Sequence, residues 1–154
     1  MHPSSIIALN LFGKYTKNYK ALLDARIAIK HKDYETLSKL FDGKLVKYLE
    51  SEEQMDILSK ALKLPINSIY GLTSAGFPNP ARDPRNKDNI VAKRGALFMI
   101  SLRNEFEKRG WRIIHFKTDS IKIPDMTEEQ KQFVMDYGRK FAYEFEHEAT
   151  YERL

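Results

Sequence analysis

The chain contains no cysteine, which excludes disulfides and thiolate metal sites. No run of residues approaches the ~20 apolar positions that a membrane-spanning helix needs. The N-terminal stretch "MHPSSIIALNLFG" is apolar but has neither a basic start nor a small-residue cleavage site, so it does not read as a secretory signal. There is no internal repeat and no low-complexity tract. What is present is charge: 26 Lys and Arg against 21 Asp and Glu, a net +5 over 154 residues, with a pI near 9.3. That balance suits a polyanionic partner and equally suits solvated basic helix faces. The length allows one domain or a piece of a larger one. The expectation from these bounds is a soluble, intracellular, mildly basic chain of mixed α and β structure.

Hydrophobic periodicity divides the chain into helices and one hairpin. "SSIIALNLFG" follows Pro3, with Ser4 or Ser5 placed to cap a short helix that Gly13 ends. From Asn18 to about His31, Leu22, Leu23, Ile27 and Ile29 recur at roughly helical spacing, opposed by Lys20, Arg26 and Lys30. "DYETLSKLF" predicts a short helix capped by Asp33, with Gly43 beyond its end. Ser51 opens a capping-box pattern with Gln54 ahead of "MDILSKALKL", and Pro65 is expected to bend or interrupt that helix.

"TSAGFPNPARDPRNKDN", rich in Pro, Gly and Asn, predicts a long exposed loop. "IVAKRGALFMISLRNEFEKRG" predicts an amphipathic helix closed by Gly110. "WRIIHFK" and "SIKI" predict a β-hairpin, Thr127 starts a further helix with acidic residues in its first turn, and "HEATYERL" is a candidate last strand. The fold class is therefore α+β: a small antiparallel sheet packed on helices, with a protruding helical part. Phe98, Phe106, Trp111 and Phe116 read as core.

Two constellations carry chemistry. Asp119, in Thr118-Asp119-Ser120, falls where the two hairpin strands turn. A rigid turn is where a metal-ligating carboxylate is useful, and equally where a plain turn aspartate is common. In "KLPINSIYG", Lys63, Asn67 and Tyr70 are spaced i, i+4, i+7, so a helix puts a cation, an amide and a phenol on one face. That stripe suits a phosphate and a base pair, or else a solvated face with Tyr70 packed on a neighbour.

Taken jointly, K-x-x-x-N-S-x-Y-G followed downstream by T-D-S resembles the fingers and palm of family B DNA polymerases of bacteriophage or prophage type. The other fingers helix of that family carries R-x-x-x-K, which "RIAIK" matches with Arg26 and Lys30. "MHPSSII" resembles the tail of the family's first palm motif, D-x-x-S-L-Y-P-S-I-I, with His2 at the tyrosine position and Pro3 and Ser4 matching. The resemblance covers nearly the whole chain and divides it into residues 1–15 (tail of the first palm motif), 16–75 (fingers helices) and 76–154 (palm).

The resemblance implies template-directed nucleotidyl transfer from a dNTP to a primer 3′-hydroxyl, with Mg²⁺ as cofactor in a two-metal site. It makes Asp119 a metal ligand and, with Lys63, a catalytic residue. Arg26, Lys30 and Lys63 would hold the triphosphate, and Asn67, Tyr70 and His2 would also contact the nucleotide. Tyr70, Gly71, Thr118 and Lys117 would contact DNA.

The catalytic aspartate of the first palm motif would fall four positions before Met1, so the chain is expected to act only with an upstream piece supplying it. The implied partners are primer-template DNA, dNTP and the remaining polymerase segments (exonuclease, first palm motif, thumb), with no membrane. The implied location is the cytoplasm of a bacterial host.

Two positions depart from the family pattern. His2 replaces a sugar-contacting tyrosine, and Lys117 stands where the first Asp of D-T-D-S belongs, lowering the negative charge beside Asp119. Arg82, Arg85, Lys87, Lys93 and Arg94 read either as template-phosphate contacts or as a solvated basic loop. The alternative function is a non-catalytic nucleic-acid-binding remnant. A single-metal hydrolase on Asp119 is a weaker third choice, since His115 and Asp125 form no familiar ligand spacing with it.

Overall fold

A computed structural model of the protein describes residues 1–82, 84 and 89–151. It is α+β and mostly helical, with a two-stranded antiparallel sheet among the described residues. The chain forms two compact units, Ile6–Ile90 and a second made of Met1–Ser5 with Val91–Leu154. Helix α1 (His2–Ala8) crosses the first boundary. The motif order suggested boundaries at 15/16 and 75/76; the compact units change at 5/6 and 90/91, and the first five residues share the unit of the hairpin.

The helical unit is built on α2 (Thr16–Lys30), α3 (Tyr34–Lys39) and α4 (Glu52–Ser74). Asp33 caps α3, its side chain accepting from the Thr36 N–H. Ser51 caps α4 by accepting from the Gln54 N–H. Each such cap is worth about 1 kcal/mol, because it satisfies a donor the helix leaves open.

Helices α2 and α4 run antiparallel. Tyr19, early in α2, meets Ile66, late in α4. Lys32, just past α2, pairs with Glu52 at the start of α4, 2.7 Å away. Between these ties lies a core of Ala25, Ala28, Ile29, Leu37, Leu49 and Met55. Of the expected Leu22–Leu23–Ile27–Ile29 row, Ile29 is buried, Leu22 and Leu23 are half-buried and Ile27 is exposed, while Ala25 and Ala28 complete the buried stripe of α2.

Pro65 does not interrupt α4, which is continuous from Glu52 to Ser74. The missing donor leaves one carbonyl unpaired a turn earlier, and Pro65 sits on the exposed face, where water can satisfy it.

The second unit packs α5 (Ile90–Lys108) and α6 (Glu128–Lys140) with β1 (His115–Phe116) and β2 (Ile121–Lys122). Its core is Phe98, Met99, Leu102, Phe106, Val134 and Tyr143, flanked by Trp111, Phe116, Ile121 and Ile123, so the hairpin lays its apolar residues on both helices. The four aromatics expected in the core are there, Phe98 and Phe106 buried and the other two packed against them. Thr127 and Gln130 form a reciprocal capping box at the start of α6.

Gly138 is where the chain needs the absence of a side chain. A Cβ there would lie 2.8 Å from the Phe145 ring and 2.9 Å from the Tyr143 carbonyl.

Three further expectations change. Ser4 and Ser5 lie inside α1 rather than capping it; Ser5 is fully buried, its hydroxyl hydrogen-bonded to that of Tyr143 at 2.8 Å. Helix α1 ends at Ala8, and the left-handed Asn10 (φ 48°) turns the chain before Gly13 is reached. Residues 147–151 of the candidate last strand form none; its final residues lie outside those described.

Candidate functional site

Asp119 stands at the tip of the hairpin. His115 pairs with Lys122 and Phe116 with Ile121. The Lys117 N–H then donates to the Ser120 carbonyl at 2.9 Å, closing a turn whose two outer residues are Thr118 and Asp119. All three of Lys117, Thr118 and Asp119 are exposed. The carboxylate is thus carried on a turn fixed by a backbone hydrogen bond and by apolar anchors beneath it, Phe116 and Ile121.

The Asp119 carboxylate acts electrostatically on the start of α1. Burial lowers the pKa of His2, the neighbouring N-terminal charge lowers it further, and the Asp119 carboxylate opposes both. The Met1 amine feels the same two influences, burial lowering its pKa and Asp119 raising it. His2 and Asp119, far apart in sequence, are therefore electrostatic neighbours in one compact unit.

Asp119 meets the chemistry of a divalent-ion ligand in part. Mg²⁺ is held by one or two carboxylates together with substrate phosphates and waters, and an exposed carboxylate on a fixed turn suits one of those positions. Among the described residues no group of three or more His, Asp or Glu is placed to hold a metal ion. His115 and Asp125 are exposed and join no such group.

The cationic residues sit on the antiparallel α2–α4 pair. The Tyr19–Ile66 and Lys32–Glu52 ties set its register, which puts Arg26 and Lys30 opposite the first half of α4. Lys63 is displaced from Arg26 by roughly one helical turn along the pair, ~6 Å at 1.5 Å per residue. Lys30 and Lys63 are exposed, whereas Arg26 is half-buried. The Nε of Arg26 is buried with no hydrogen-bond partner. Such an orphaned donor costs about 1–3 kcal/mol, and an anion reaching it would remove that cost.

The motif on α4 divides by burial. Asn67 and Gly71 are exposed, and Tyr70 is half-buried. The Tyr70 hydroxyl accepts from the Asn89 side-chain amide at 3.2 Å, and Asn89 also receives the Ser74 hydroxyl at 3.4 Å. Asn89 is a residue the sequence pattern passes over. Its only trace there is an asparagine directly before an apolar run, and it takes the left-handed φ of 56° that asparagine tolerates.

The expected basic template loop is different in kind. Lys93 and Arg94 belong to α5, not to a loop. The Arg94 guanidinium lies 4.6 Å over the Tyr143 ring and donates to the Phe141 carbonyl at 2.6 Å, a packing role. Arg82 donates to the Gly76 carbonyl at 3.1 Å. Arg85 and Lys87 lie outside the described residues. No helix among those described is long and apolar enough to cross a membrane.

Comparison with protein-family models, with curated proteins and with solved structures finds no match to the chain.

Proposed function

We propose that the chain is the fingers-and-palm portion of a family B DNA polymerase of bacteriophage or prophage type. Its reaction is template-directed transfer of a nucleotidyl group from a dNTP to a primer 3′-hydroxyl. The observation that carries this reading is Asp119 on its hydrogen-bonded hairpin turn, with His2 as electrostatic neighbour. These are a carboxylate and a ring from two sequence-distant motif segments. The orphaned Arg26 Nε supports it independently, as a buried cationic donor suited to an anion, with Lys30 and Lys63 on the same helix pair.

In this reading Asp119 is one ligand of Mg²⁺. Bound divalent ions would activate the primer oxygen and neutralise the triphosphate. Arg26, Lys30 and Lys63 bind the triphosphate oxygens, Arg26 through a donor already stripped of water. Asn67 supports the sugar and phosphate region of the dNTP, and His2 fills the space against the sugar. Tyr70 lies under the nascent pair with its ring oriented by Asn89, while Gly71, Thr118 and Lys117 meet the DNA.

The test is dNTP-dependent tightening of primer-template binding in Mg²⁺. It is run with the upstream segment that the resemblance calls for, joined to the chain or mixed with it. The expected result is tightening by the templated dNTP that Lys63→Ala and Arg26→Ala abolish. Salt-sensitive DNA binding with no response to dNTP would replace this reading by that of a non-catalytic nucleic-acid-binding module.

A further inference from the structure

The helical unit is electrically polarised along the α2–α4 pair. Residues 6–23 hold Lys14, Lys17 and Lys20 with no Asp or Glu, and residues 57–82 hold Lys60, Lys63 and Arg82, again with none. Residues 31–56, at the opposite end, hold seven acidic residues against four lysines. The antiparallel register brings the two acid-free stretches together, because Tyr19 meets Ile66.

At the cationic end the chain presents an aromatic ring to solvent. Tyr15 is 60% exposed and has the Lys14 ammonium 5.1 Å from its ring centroid. It closes a single 3-10 turn, Gly13–Tyr15, that leads into α2. The turn is held on both sides. Phe12 packs edge-on against the buried Tyr19, 5.5 Å between centroids, and the Phe12 N–H donates to the Thr16 hydroxyl at 3.2 Å. Lys20 is neutralised by Asp24 one turn later. Lys14 and Lys17 are exposed and make no ion pair among the described residues. Lys17 also stands in the first turn of α2, where a cation opposes the helix dipole. Helix stability therefore does not explain it.

An exposed aromatic ring with an ammonium 5.1 Å from its centroid, next to a further exposed lysine in a stretch that carries no Asp or Glu, has the chemistry of single-strand recognition: the ring stacks a base and the cations meet neighbouring phosphates. We infer that Lys14, Tyr15 and Lys17 form a contact for a single-stranded stretch of nucleic acid, with Tyr15 as the stacking platform. The contact goes beyond nucleotidyl transfer and needs neither dNTP nor Mg²⁺. Its failure and that of the polymerase reading are thus separately visible.

The test is fluorescence anisotropy with a labelled oligothymidine, titrated without Mg²⁺ or dNTP over a series of salt concentrations. All substituted side chains are exposed, and circular dichroism verifies the fold of each variant. Tyr15→Ala is expected to weaken binding about tenfold and Tyr15→Phe to restore it, since the phenyl ring keeps the stacking face. The double variant Lys14→Ala/Lys17→Ala is expected to flatten the slope of log K against log salt by about 1.4, that is ~0.7 per lost phosphate contact on a single strand. Lys44→Ala/Lys47→Ala, at the acidic end, is expected to leave binding unchanged.

Four results would each overturn the inference. One is no binding by the parent chain at low salt. Another is equal binding by the parent, Tyr15→Ala and the Lys14/Lys17 variant. A third is equal weakening by the Lys44/Lys47 variant. The fourth is capture by vesicles rich in anionic lipid with none by the oligonucleotide.

Discussion

The Tyr19 phenol on α2 donates to the Ile66 carbonyl on α4 at 3.3 Å, one residue beyond Pro65. It is a buried polar tie between the two helices and fixes the register on which the positions of Arg26, Lys30 and Lys63 depend. Tyr19→Phe keeps the ring packing and loses the hydrogen bond. The expected cost is about 1 kcal/mol in chemical denaturation.

Tyr19 also gives an alkaline signature. Burial raises its pKa well above that of a free phenol, so its protonated form is favoured in the folded state. Its contribution is fully present below the unfolded phenol's pKa, about 10, and is lost as pH rises from there toward the folded value. Unfolding free energy measured between pH 9 and 11 should fall in the parent chain, and fall less in Tyr19→Phe.

Glu105 contributes to the acid limb. Hydrogen bonds from Lys108 and Arg109 lower its pKa to about 2. A carboxylate held below its usual range stabilises the fold above the unfolded pKa, and that stabilisation is lost as pH falls through the window between about 4.5 and about 2. Glu105→Gln should flatten the stability profile in that window and leave it unchanged in shape above it. Because Glu105 is a surface group, the effect on absolute stability at neutral pH should be small.

Gly138→Ala tests the packing beneath the hairpin unit. The added methyl meets a backbone carbonyl as well as the Phe145 ring, so a side-chain shift alone does not relieve it. The expected loss is about 1–3 kcal/mol, read as a lower midpoint in urea with an unchanged slope.

The sequence makes some of these features legible and hides others. Asp33 and Ser51 cap helices as their residue types predict, and the helix expected to start at Thr127 does so, because capping is local chemistry. The hairpin around Asp119 is visible for the same reason: two short apolar runs leave few ways to turn. What is hidden is non-local. Ser5 reads as a cap because its partner, Tyr143, is 138 residues away. The buried face of α2 is only partly legible: Ile29 is read correctly, but Ala25 and Ala28 carry little weight in a hydrophobic pattern. Pro65 reads as a break because exposure, not sequence, decides whether its missing hydrogen bond matters. Within the candidate site, the motif residues are legible from their types and spacing. The orphaned Arg26 Nε and the Asn89–Tyr70 bond follow only from packing.

The most direct measurement is primer extension in Mg²⁺ by the chain supplied with the upstream segment, comparing the parent with Asp119→Ala. Asp119 is exposed, so the substitution should leave the thermal midpoint within a few degrees of the parent's. If Asp119 ligates the ions that carry nucleotidyl transfer, the parent extends the primer with templated dNTPs and Asp119→Ala loses extension by several orders of magnitude while still binding primer-template. Extension that survives Asp119→Ala, or its absence in a parent that folds and binds primer-template, would contradict the proposed function.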